Sequence, residues 1–239
     1  MKGVDSVYYV MSDIHGCYEK MMNALKYWNS KKEHLVIMGD LIDKGPNSLE
    51  IVRELMELSK HENVTVLKGN HEDMLLSWLL NTPYELLEYY YNEHHNETFR
   101  SFMGRKRYKK STRKQRPLEI IRNFKNELNF MNQLPSHLEI ESAIFVHAGI
   151  DLEANDWHLE ETEMLWIREP FIYSSKTPEK RVFFGHTPTP FIHEDRENFN
   201  IWISNDEMKI GIDGAAAMGG QLNALKVDSH GNIVETLKF

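Results

Sequence analysis

The sequence predicts an α/β fold built on parallel strands, and two observations carry this prediction. In the first half of the chain, short apolar runs alternate with amphipathic helical patterns in the order βαβαβα, which implies parallel pairing with right-handed crossovers. After a helical middle, apolar runs resume and continue to the last residues. The length of 239 residues fits one large domain or at most two small ones, and we expect a single domain over residues 1–239.

The first three strands are predicted at residues 7–11, 35–38 and 64–67, with intervening helices at about 18–30 and 47–58. Asn47 or Ser48 is the expected cap of the second helix. Because parallel strands end at the same edge of a sheet, the polar residues that follow these strands are expected to lie together there.

A mostly helical insertion is predicted at about residues 82–135. Its early apolar positions are Tyr84, Leu86, Leu87 and Tyr90, and its late ones are Ile120, Ile121, Phe124, Leu128 and Phe130. Between them, eight of the twelve residues from Arg105 to Arg116 are basic. This basic run is either a mobile, solvated loop or a docking surface for a polyphosphate or an acidic phosphopeptide.

Strands resume at residues 143–146 and 181–184. Four further short segments after residue 200 show apolar alternation: 201–203, 209–212, 222–227 and 233–237. Turn residues separate them, and they are therefore predicted to be antiparallel strands that complete a second sheet.

The composition excludes several classes of protein. A net charge of -8 argues against a general binder of nucleic acid or of anionic membranes. The lone Cys17 rules out a disulfide framework and makes a reducing compartment the default. The first apolar run, at 7–11, is too short for a secretory signal, and no later run approaches the eighteen or so apolar residues of a membrane span. We therefore expect a cytoplasmic protein.

Five apolar strands are each followed by an Asp, Asn or His beside a glycine. The candidate ligands are Asp13, His15, Asp40, Asn70, His147 and His186. One histidine at a strand end is usually structural, but core packing gives no reason to repeat the pattern five times. Oxygen and nitrogen donors without thiolate suit manganese, with iron or zinc as alternatives. Six ligands with one bridging carboxylate fit two metal ions, which favours hydrolysis of a phosphoester or phosphoanhydride.

These residues lie in motifs that resemble the signature blocks of calcineurin-like metallophosphoesterases. The blocks are Asp13-Ile14-His15-Gly16, Gly39-Asp40-x-x-Asp43-Lys44-Gly45, Gly69-Asn70-His71-Glu72, His147-Ala148-Gly149 and Gly185-His186-Thr187. More narrowly, they are similar to the phosphoprotein phosphatase branch, which holds serine/threonine phosphatases and symmetrical diadenosine tetraphosphate hydrolases. The resemblance implies two packed mixed β-sheets flanked by helices.

The resemblance also implies roles for the site residues. One metal would be held by Asp13, His15 and Asp40, and the other by Asp40, Asn70, His147 and His186. A hydroxide bridging the metals would attack phosphorus, and His71, held by Asp43, would act as general acid towards the leaving oxygen. Asp43 as a simple turn or capping residue is the competing interpretation.

Phosphate binding departs from the family pattern. The family usually has arginine where this sequence has Lys44, and a lysine cannot make the planar two-pronged contact. The segment Trp166-x-Arg168 resembles a second phosphate-binding arginine of bacterial and phage members, and Asn70 would contribute as well. The alternative for Arg168 is a surface ion pair with Glu169 or another nearby acid.

Three functions remain open. A serine/threonine protein phosphatase-like enzyme comes first, because Asp43 is present as in protein phosphatases. A bis(5'-nucleosyl)-tetraphosphatase is the alternative. It is favoured by the segments Gly45-Pro46-x-Ser48 and His147-Ala148-Gly149-Ile150. A non-catalytic metal-binding interaction protein is the third, and the intact ligand set with His71 and Asp43 disfavours it. The substrate is accordingly a phosphorylated protein or a nucleotide polyphosphate.

Overall fold

The computed structural model describes residues 6–61, 63–80 and 96–239, and the strands in this part of the chain form two five-stranded sheets. The first half follows the predicted order: β1 (Val7–Met11), α1 (Tyr18–Leu25), β2 (Glu33–Ile37), α2 (Ser48–Leu58), β3 (Val64–Val66) and α3 (Asn70–Leu80). The later strands are β4 (His137–Glu139), β5 (Ala143–Val146), β6 (Arg181–Phe184), β7 (Trp202–Ile203), β8 (Lys209–Gly211), β9 (Asn223–Val227) and β10 (Ile233–Lys238).

Helix α1 ends at Leu25 instead of near Ser30. The chain turns there because Trp28 Nε1 donates to the backbone oxygen of Glu33 at 3.1 Å, and the Asn29 amide donates to the Glu33 carboxylate at 2.7 Å. These contacts lead directly into β2. Asn47 occupies the cap position of α2, although its side chain makes no capping hydrogen bond.

The first sheet has the strand order β10-β9-β1-β2-β3. Strands β1, β2 and β3 are parallel, with Val10 opposite Val36 and Val36 opposite Thr65. Their carboxyl ends therefore share one edge, as predicted. Strands β9 and β10 complete the other side of this sheet in antiparallel pairing.

The second sheet has the order β4-β5-β6-β8-β7. Strands β5, β6 and β8 are parallel, with Phe145 opposite Phe183 and Phe183 opposite Ile210. The short strands β4 and β7 pair antiparallel at its two edges.

The prediction for the segments after residue 200 is wrong in two respects. Strands β9 and β10 join the first sheet and not the second, and β8 runs parallel to β6. Apolar alternation shows that a segment is a strand and which of its faces is buried. It does not show which strand lies beside it, because that depends on long connections with no periodic signal.

The two sheets pack face to face through apolar side chains from both. This inner layer includes Val10, Val36 and Leu225 from the first sheet and Phe145, Phe183 and Ile210 from the second. Each such buried side chain stabilises the fold by about 1.5–3 kcal/mol relative to exposure. Helices cover the outer faces, so the arrangement is helix, sheet, sheet, helix, in agreement with the predicted fold class.

Within the described residues 96–132 the chain forms four helices: α4 (Asn96–Met103), α5 (Arg105–Lys110), α6 (Gln115–Asn123) and α7 (Lys125–Asn132). Of the predicted late apolar positions, Ile120 and Leu128 are buried, and Ile121, Phe124 and Phe130 pack partly buried against the core. The predicted early positions Tyr84, Leu86, Leu87 and Tyr90 lie outside the described residues.

The basic run from Arg105 to Arg116 is helical over α5 and exposes most of its basic side chains. Arg107 pairs with Glu119, and the Arg116 guanidinium lies 3.8 Å from the centre of the Tyr108 ring. A docking role for this surface stays a prediction.

Short helices lie among the strands of the second sheet: α8 (Glu161–Trp166), α9 (Glu169–Ile172) and α10 (Thr189–Ile192). Within the three described stretches of chain, every helix is too short or too polar to cross a membrane.

Candidate metal centre and active site

Turns at the carboxyl ends of both sheets bring the predicted ligands together. Asp13 and His15 follow β1, Asp40 follows β2, Asn70 follows β3, His147 follows β5 and His186 follows β6. All six side chains are buried, with at most 5% of their surface exposed. The first sheet thus supplies four of the candidate ligands and the second sheet supplies two.

The backbone of these turns is unusual. Six site residues have φ angles between 45° and 68°: Asp13, His15, Asp40, Asp43, Lys44 and His186. This left-handed region is sparsely populated by residues other than glycine, and such residues cluster at functional sites. Hydrogen bonds between neighbouring turns hold the conformation. For example, the His15 amide donates to the backbone oxygen of Asp40 at 2.9 Å.

Two glycines leave room for the carboxylates. A Cβ atom at Gly69 would lie 2.3 Å from Asp40 Oδ1, and one at Gly185 would lie 2.0 Å from Asp13 Oδ2. Both distances are far inside van der Waals contact. The glycine beside a polar residue in these motifs therefore serves the close approach of one turn to the next.

The first ligand group centres on His15. Its Nε2 lies 3.2 Å from Asp40 Oδ2 and 3.9 Å from Asp13 Oδ1. Its Nδ1 lies 2.7 Å from the backbone oxygen of Ile42, which requires Nδ1 to carry the proton and leaves the Nε2 lone pair on the side of the carboxylates. This orientation is typical of a metal-binding histidine.

The second ligand group centres on His147. Its Nε2 lies 2.9 Å from Asn70 Oδ1 and 3.3 Å from Asp40 Oδ1, while its Nδ1 lies 2.8 Å from the Met38 oxygen. His186 Nε2 is buried and has no hydrogen-bond partner within the described part of the chain. The two oxygens of Asp40 face different groups, so this carboxylate lies between them.

Burial opposes charge on the side chains of this cluster. Burial and the neighbouring Asp40 raise the pKa of Asp13 to about 7. Burial lowers the pKa of His15 to about 4, against the pull of Asp40, and burial with His147 nearby lowers that of His186 to about 2. Burial would raise the pKa of Asp40, but the surrounding histidines, His147 first, hold it well below its ordinary range.

The donor set fits divalent metal ions. Donor atoms of His15, Asp40 and His71 lie within 4.8 Å of one another, and so do those of Asp40, His147 and His186. A buried histidine nitrogen without a partner is costly, and a metal ion would satisfy it. The mixture of carboxylate, amide and imidazole donors suits manganese, iron or zinc.

His71 and Asp43 form a buried pair beside these ligands. His71 Nδ1 lies 2.7 Å from Asp43 Oδ2, and His71 Nε2 lies 3.8 Å from Asp40 Oδ2. Burial would lower the pKa of His71, but Asp40 and Asp43 raise it above its ordinary value. The histidine is therefore held in a state that can donate a proton near neutral pH.

Both predicted phosphate-binding cations lie at this site. Lys44 Nζ is 2.6 Å from His15 Nε2. Arg168 Nη1 donates to the backbone oxygen of His186 and to Thr187 Oγ1, both at 2.9 Å. Arg168 is thus directed towards the ligand turn after β6 and not towards Glu169.

A cleft of about 400 Å³ adjoins the ligand cluster. Its lining includes Lys44, Arg168 and His186 on the cluster side. Tyr173 and Phe191 line it further out, and they are 62% and 52% exposed. The cleft therefore combines cations with aromatic surface.

Glu72 is a residue to which sequence reasoning gave no role. Its buried carboxylate accepts hydrogen bonds from the amides of Asp40, Leu41 and Gly69 at 2.9 Å and of Ile42 at 3.2 Å. Burial and Asp40 raise its pKa to about 7. Glu72 fixes the turns after β2 and β3 relative to each other. The sequence signal that could have identified Glu72 is its position in one motif with Asn70 and His71.

Asp213 is a second residue that was missed. It follows β8, precedes Gly214 and is 3% exposed. Burial first, and then Asp13, raise its pKa well above the ordinary range. The pattern of a strand followed by a polar residue beside a glycine occurs here a sixth time, but the prediction of an antiparallel tail gives this short strand no place beside the ligands.

Comparisons with known proteins show the family to which the chain belongs. The family described as calcineurin-like phosphoesterase matches residues 7–218. The symmetrical bis(5'-nucleosyl)-tetraphosphatase of Buchnera aphidicola subsp. Schizaphis graminum is 38% identical over 90 residues, which are 37% of this chain and 32% of that protein. The protein of the same name from Coxiella burnetii (strain Dugway 5J108-111) is 39% identical over 70 residues, 28% of this chain and 23% of that protein. The matches therefore span about a third or less of these relatives.

Two solved structures share the fold. One, provisionally named a diadenosine tetraphosphatase, has a TM-score of 0.65 at 20% identity and covers 100% of this chain and 96% of its own. A protein serine/threonine phosphatase from Saccharomyces cerevisiae has a TM-score of 0.58 at 15% identity. It covers 99% of this chain and 81% of its own. Identities this low support the fold alone. Because the family match extends over most of the chain and the architecture agrees, the chain belongs to the calcineurin-like phosphoesterase family.

Proposed function

We propose that the protein is a metal-dependent hydrolase of dinucleoside polyphosphates. The observation that carries this proposal is the cleft beside the ligand cluster, where Lys44 and Arg168 adjoin the exposed rings of Tyr173 and Phe191. Cations suit a chain of phosphates, and aromatic rings suit nucleobases, which stack on them. The relatives named bis(5'-nucleosyl)-tetraphosphatase support the same substrate class. The sequence placed a protein phosphatase first, and the comparisons favour its alternative.

Two metal ions fit the site, one in each ligand group. The residues that would hold them are Asp13, His15 and Asp40 in the first group and Asp40, Asn70, His147 and His186 in the second. Bound divalent ions neutralise phosphate charge and make hydroxide available near neutral pH. The metal identity we propose is manganese, with iron or zinc as alternatives.

His71 is proposed as the general acid. Its Nδ1 is held by Asp43 at 2.7 Å, which leaves Nε2 to give its proton to the leaving oxygen. Asp43 fixes the ring orientation and stabilises the protonated ring. Lys44, Arg168 and Asn70 are proposed to bind the phosphate oxygens that do not react.

The substrate class can be tested by comparing diadenosine tetraphosphate with a phosphoserine peptide at matched concentrations in the presence of Mn²⁺. We expect kcat/KM to be at least about tenfold higher for the dinucleotide, because the cleft adds base stacking to phosphate binding. Chromatography of the products will show where the polyphosphate chain is cut. No turnover of any phosphate ester with either manganese or iron would contradict the enzyme assignment.

Replacing Tyr173 and Phe191 with alanine tests the cleft itself. We expect the KM for diadenosine tetraphosphate to rise at least about thirtyfold, since two stacked bases at about 1–3 kcal/mol each are lost, while phenyl phosphate kinetics stay unchanged. Tyr27→Ala is the matched control, because Tyr27 is 55% exposed and does not line the cleft. Equal KM values for variant and parent would exclude base binding there.

A phosphoprotein phosphatase remains the second candidate. The contact between His71 and Asp43 favours it, since the resemblance implies that protein phosphatases carry this aspartate and the diadenosine tetraphosphate hydrolases tend to lack it. A higher kcat/KM for the phosphoserine peptide than for the dinucleotide would decide for this candidate.

Lys44→Ala tests the cation that departs from the family pattern. We expect KM for phenyl phosphate to rise about tenfold with a smaller change in kcat, because an ammonium group that contacts phosphate in the ground state contributes about 1–2 kcal/mol. Lys44→Arg should retain phosphate binding. A KM equal to that of the parent in Lys44→Ala would remove Lys44 from the phosphate site.

A further inference from the structure

Thr98 connects the helical segment after α3 to the paired His71 and Asp43. It lies in α4 and is fully buried. Its Oγ1 donates to Asp43 Oδ1 and accepts a hydrogen bond from the Asp43 amide at 2.9 Å. Ser48 Oγ lies 3.3 Å from the same hydroxyl and also accepts from the Asp43 amide at 3.2 Å. A residue 55 positions away in the sequence therefore holds both the backbone and the side chain of Asp43.

The two oxygens of Asp43 have separate partners. Oδ1 accepts from Thr98, and Oδ2 lies 2.7 Å from His71 Nδ1. The terminal torsion of an aspartate is broad, so a carboxylate with one partner can turn about it. The bond from Thr98 fixes the carboxylate plane and keeps Oδ2 directed at the imidazole. Asp43 is 0% exposed, and a protein hydroxyl is therefore the group that satisfies Oδ1.

Helix α4 is itself firmly placed. Phe99 packs edge to face on Trp78 in α3, with ring centres 5.3 Å apart. Ser101 Oγ accepts from the Leu49 amide at 2.9 Å, which joins α4 to the start of α2. The Thr98 hydroxyl is therefore presented from a rigid element, as an orienting contact requires.

We propose that Thr98 is a positioning residue for the proton transfer from His71, acting through Asp43. As hydroxide forms a bond to phosphorus and the bond from phosphorus to the leaving group breaks, the electron pair of the broken bond stays on the leaving oxygen, which takes the proton from His71 Nε2. Thr98 keeps the imidazole aligned for this step. The inference rests on the roles proposed above for His71 and Asp43, and it gives the helical segment a part in catalysis.

Thr98→Val tests the proposal, because valine keeps the shape of the side chain and removes the hydroxyl. Phenyl phosphate needs a proton on its leaving oxygen, whereas p-nitrophenolate leaves as a stable anion. We expect kcat for phenyl phosphate to fall about tenfold more than kcat for p-nitrophenyl phosphate, with KM and bound metal unchanged. Thr98→Ser, which restores the hydroxyl, should recover the parent ratio. A merely structural role would lower both rates equally.

A double-mutant cycle with His71→Asn completes the test. In that background Thr98→Val should not lower kcat for phenyl phosphate further, since the general acid that Thr98 positions is gone. An unchanged substrate ratio in Thr98→Val, or a full Thr98→Val effect in the His71→Asn background, would overturn the inference alone. If His71→Asn itself does not discriminate between the two substrates, the general-acid role fails, and this inference fails with it.

Discussion

Asp40→Asn is expected to lower kcat/KM by at least about a thousandfold and to reduce the bound metal from two ions per chain. The two oxygens of Asp40 face His15 on one side and His147 on the other, at 3.2 and 3.3 Å. An amide offers one neutral oxygen in place of two charged ones, so one ligand group loses its Asp40 donor and the other keeps only a neutral oxygen. A metal that stabilises a transition state by several kcal/mol accounts for a loss of this size.

Thermal unfolding provides a readout independent of activity. A ligand that binds only the folded state stabilises it, so Mn²⁺ should raise the Tm of the parent protein but not that of Asp40→Asn. Asp195→Asn is the matched control, because it makes the same chemical change at an exposed position. Full metal content and a normal Mn²⁺ shift in Asp40→Asn would exclude Asp40 as the shared ligand.

His71→Asn is expected to retain two metal ions while it loses turnover of substrates with poor leaving groups. For phenyl phosphate we expect kcat to fall about 10²–10⁴-fold, the range of general acid catalysis, and for p-nitrophenyl phosphate about tenfold or less. Metal analysis and the two kcat values are the measurements. Loss of metal would show that His71 is a ligand, and an equal loss of rate on both substrates would exclude it as the general acid.

The pH profile gives a second test of His71. Burial would lower its pKa, but Asp40 and Asp43 raise it above the ordinary value, so the protonated form persists to higher pH than in a free imidazole. Activity on phenyl phosphate should therefore decline on the alkaline side, as pH rises through this pKa. The decline should be absent in His71→Asn.

The sequence was sufficient for the three parallel strands of the first sheet and for bringing the candidate ligands to one place. Strands β1 to β3 follow from apolar runs that end in polar turns, and parallel pairing then places Asp13, Asp40 and Asn70 at one edge. His147 and His186 were found because the same pattern recurs after the helical segment. Local patterns were reliable here because each ligand sits directly after its own strand.

The contacts that orient the ligands were beyond sequence reasoning. Glu72 bonds to amides in two turns, and Thr98 reaches Asp43 across 55 positions of the chain. Asp213 follows a three-residue strand whose parallel neighbour in the sheet is β6. These relationships depend on how distant segments pack, and neither composition nor periodicity reports distant packing.

The left-handed backbone of the site opposes the stability of the fold to the chemistry of its side chains. Each non-glycine residue held in that region costs about 1–2 kcal/mol, and six residues of the ligand turns lie there. Glycine would relieve this cost at any of the six, but it would remove a candidate ligand, the partner of the acid or a cation. A lineage that kept the fold and abandoned the chemistry would therefore gain stability by drifting towards glycine at these positions. The presence of three aspartates, two histidines and a lysine there, in place of glycine, favours a functional site over a purely structural turn.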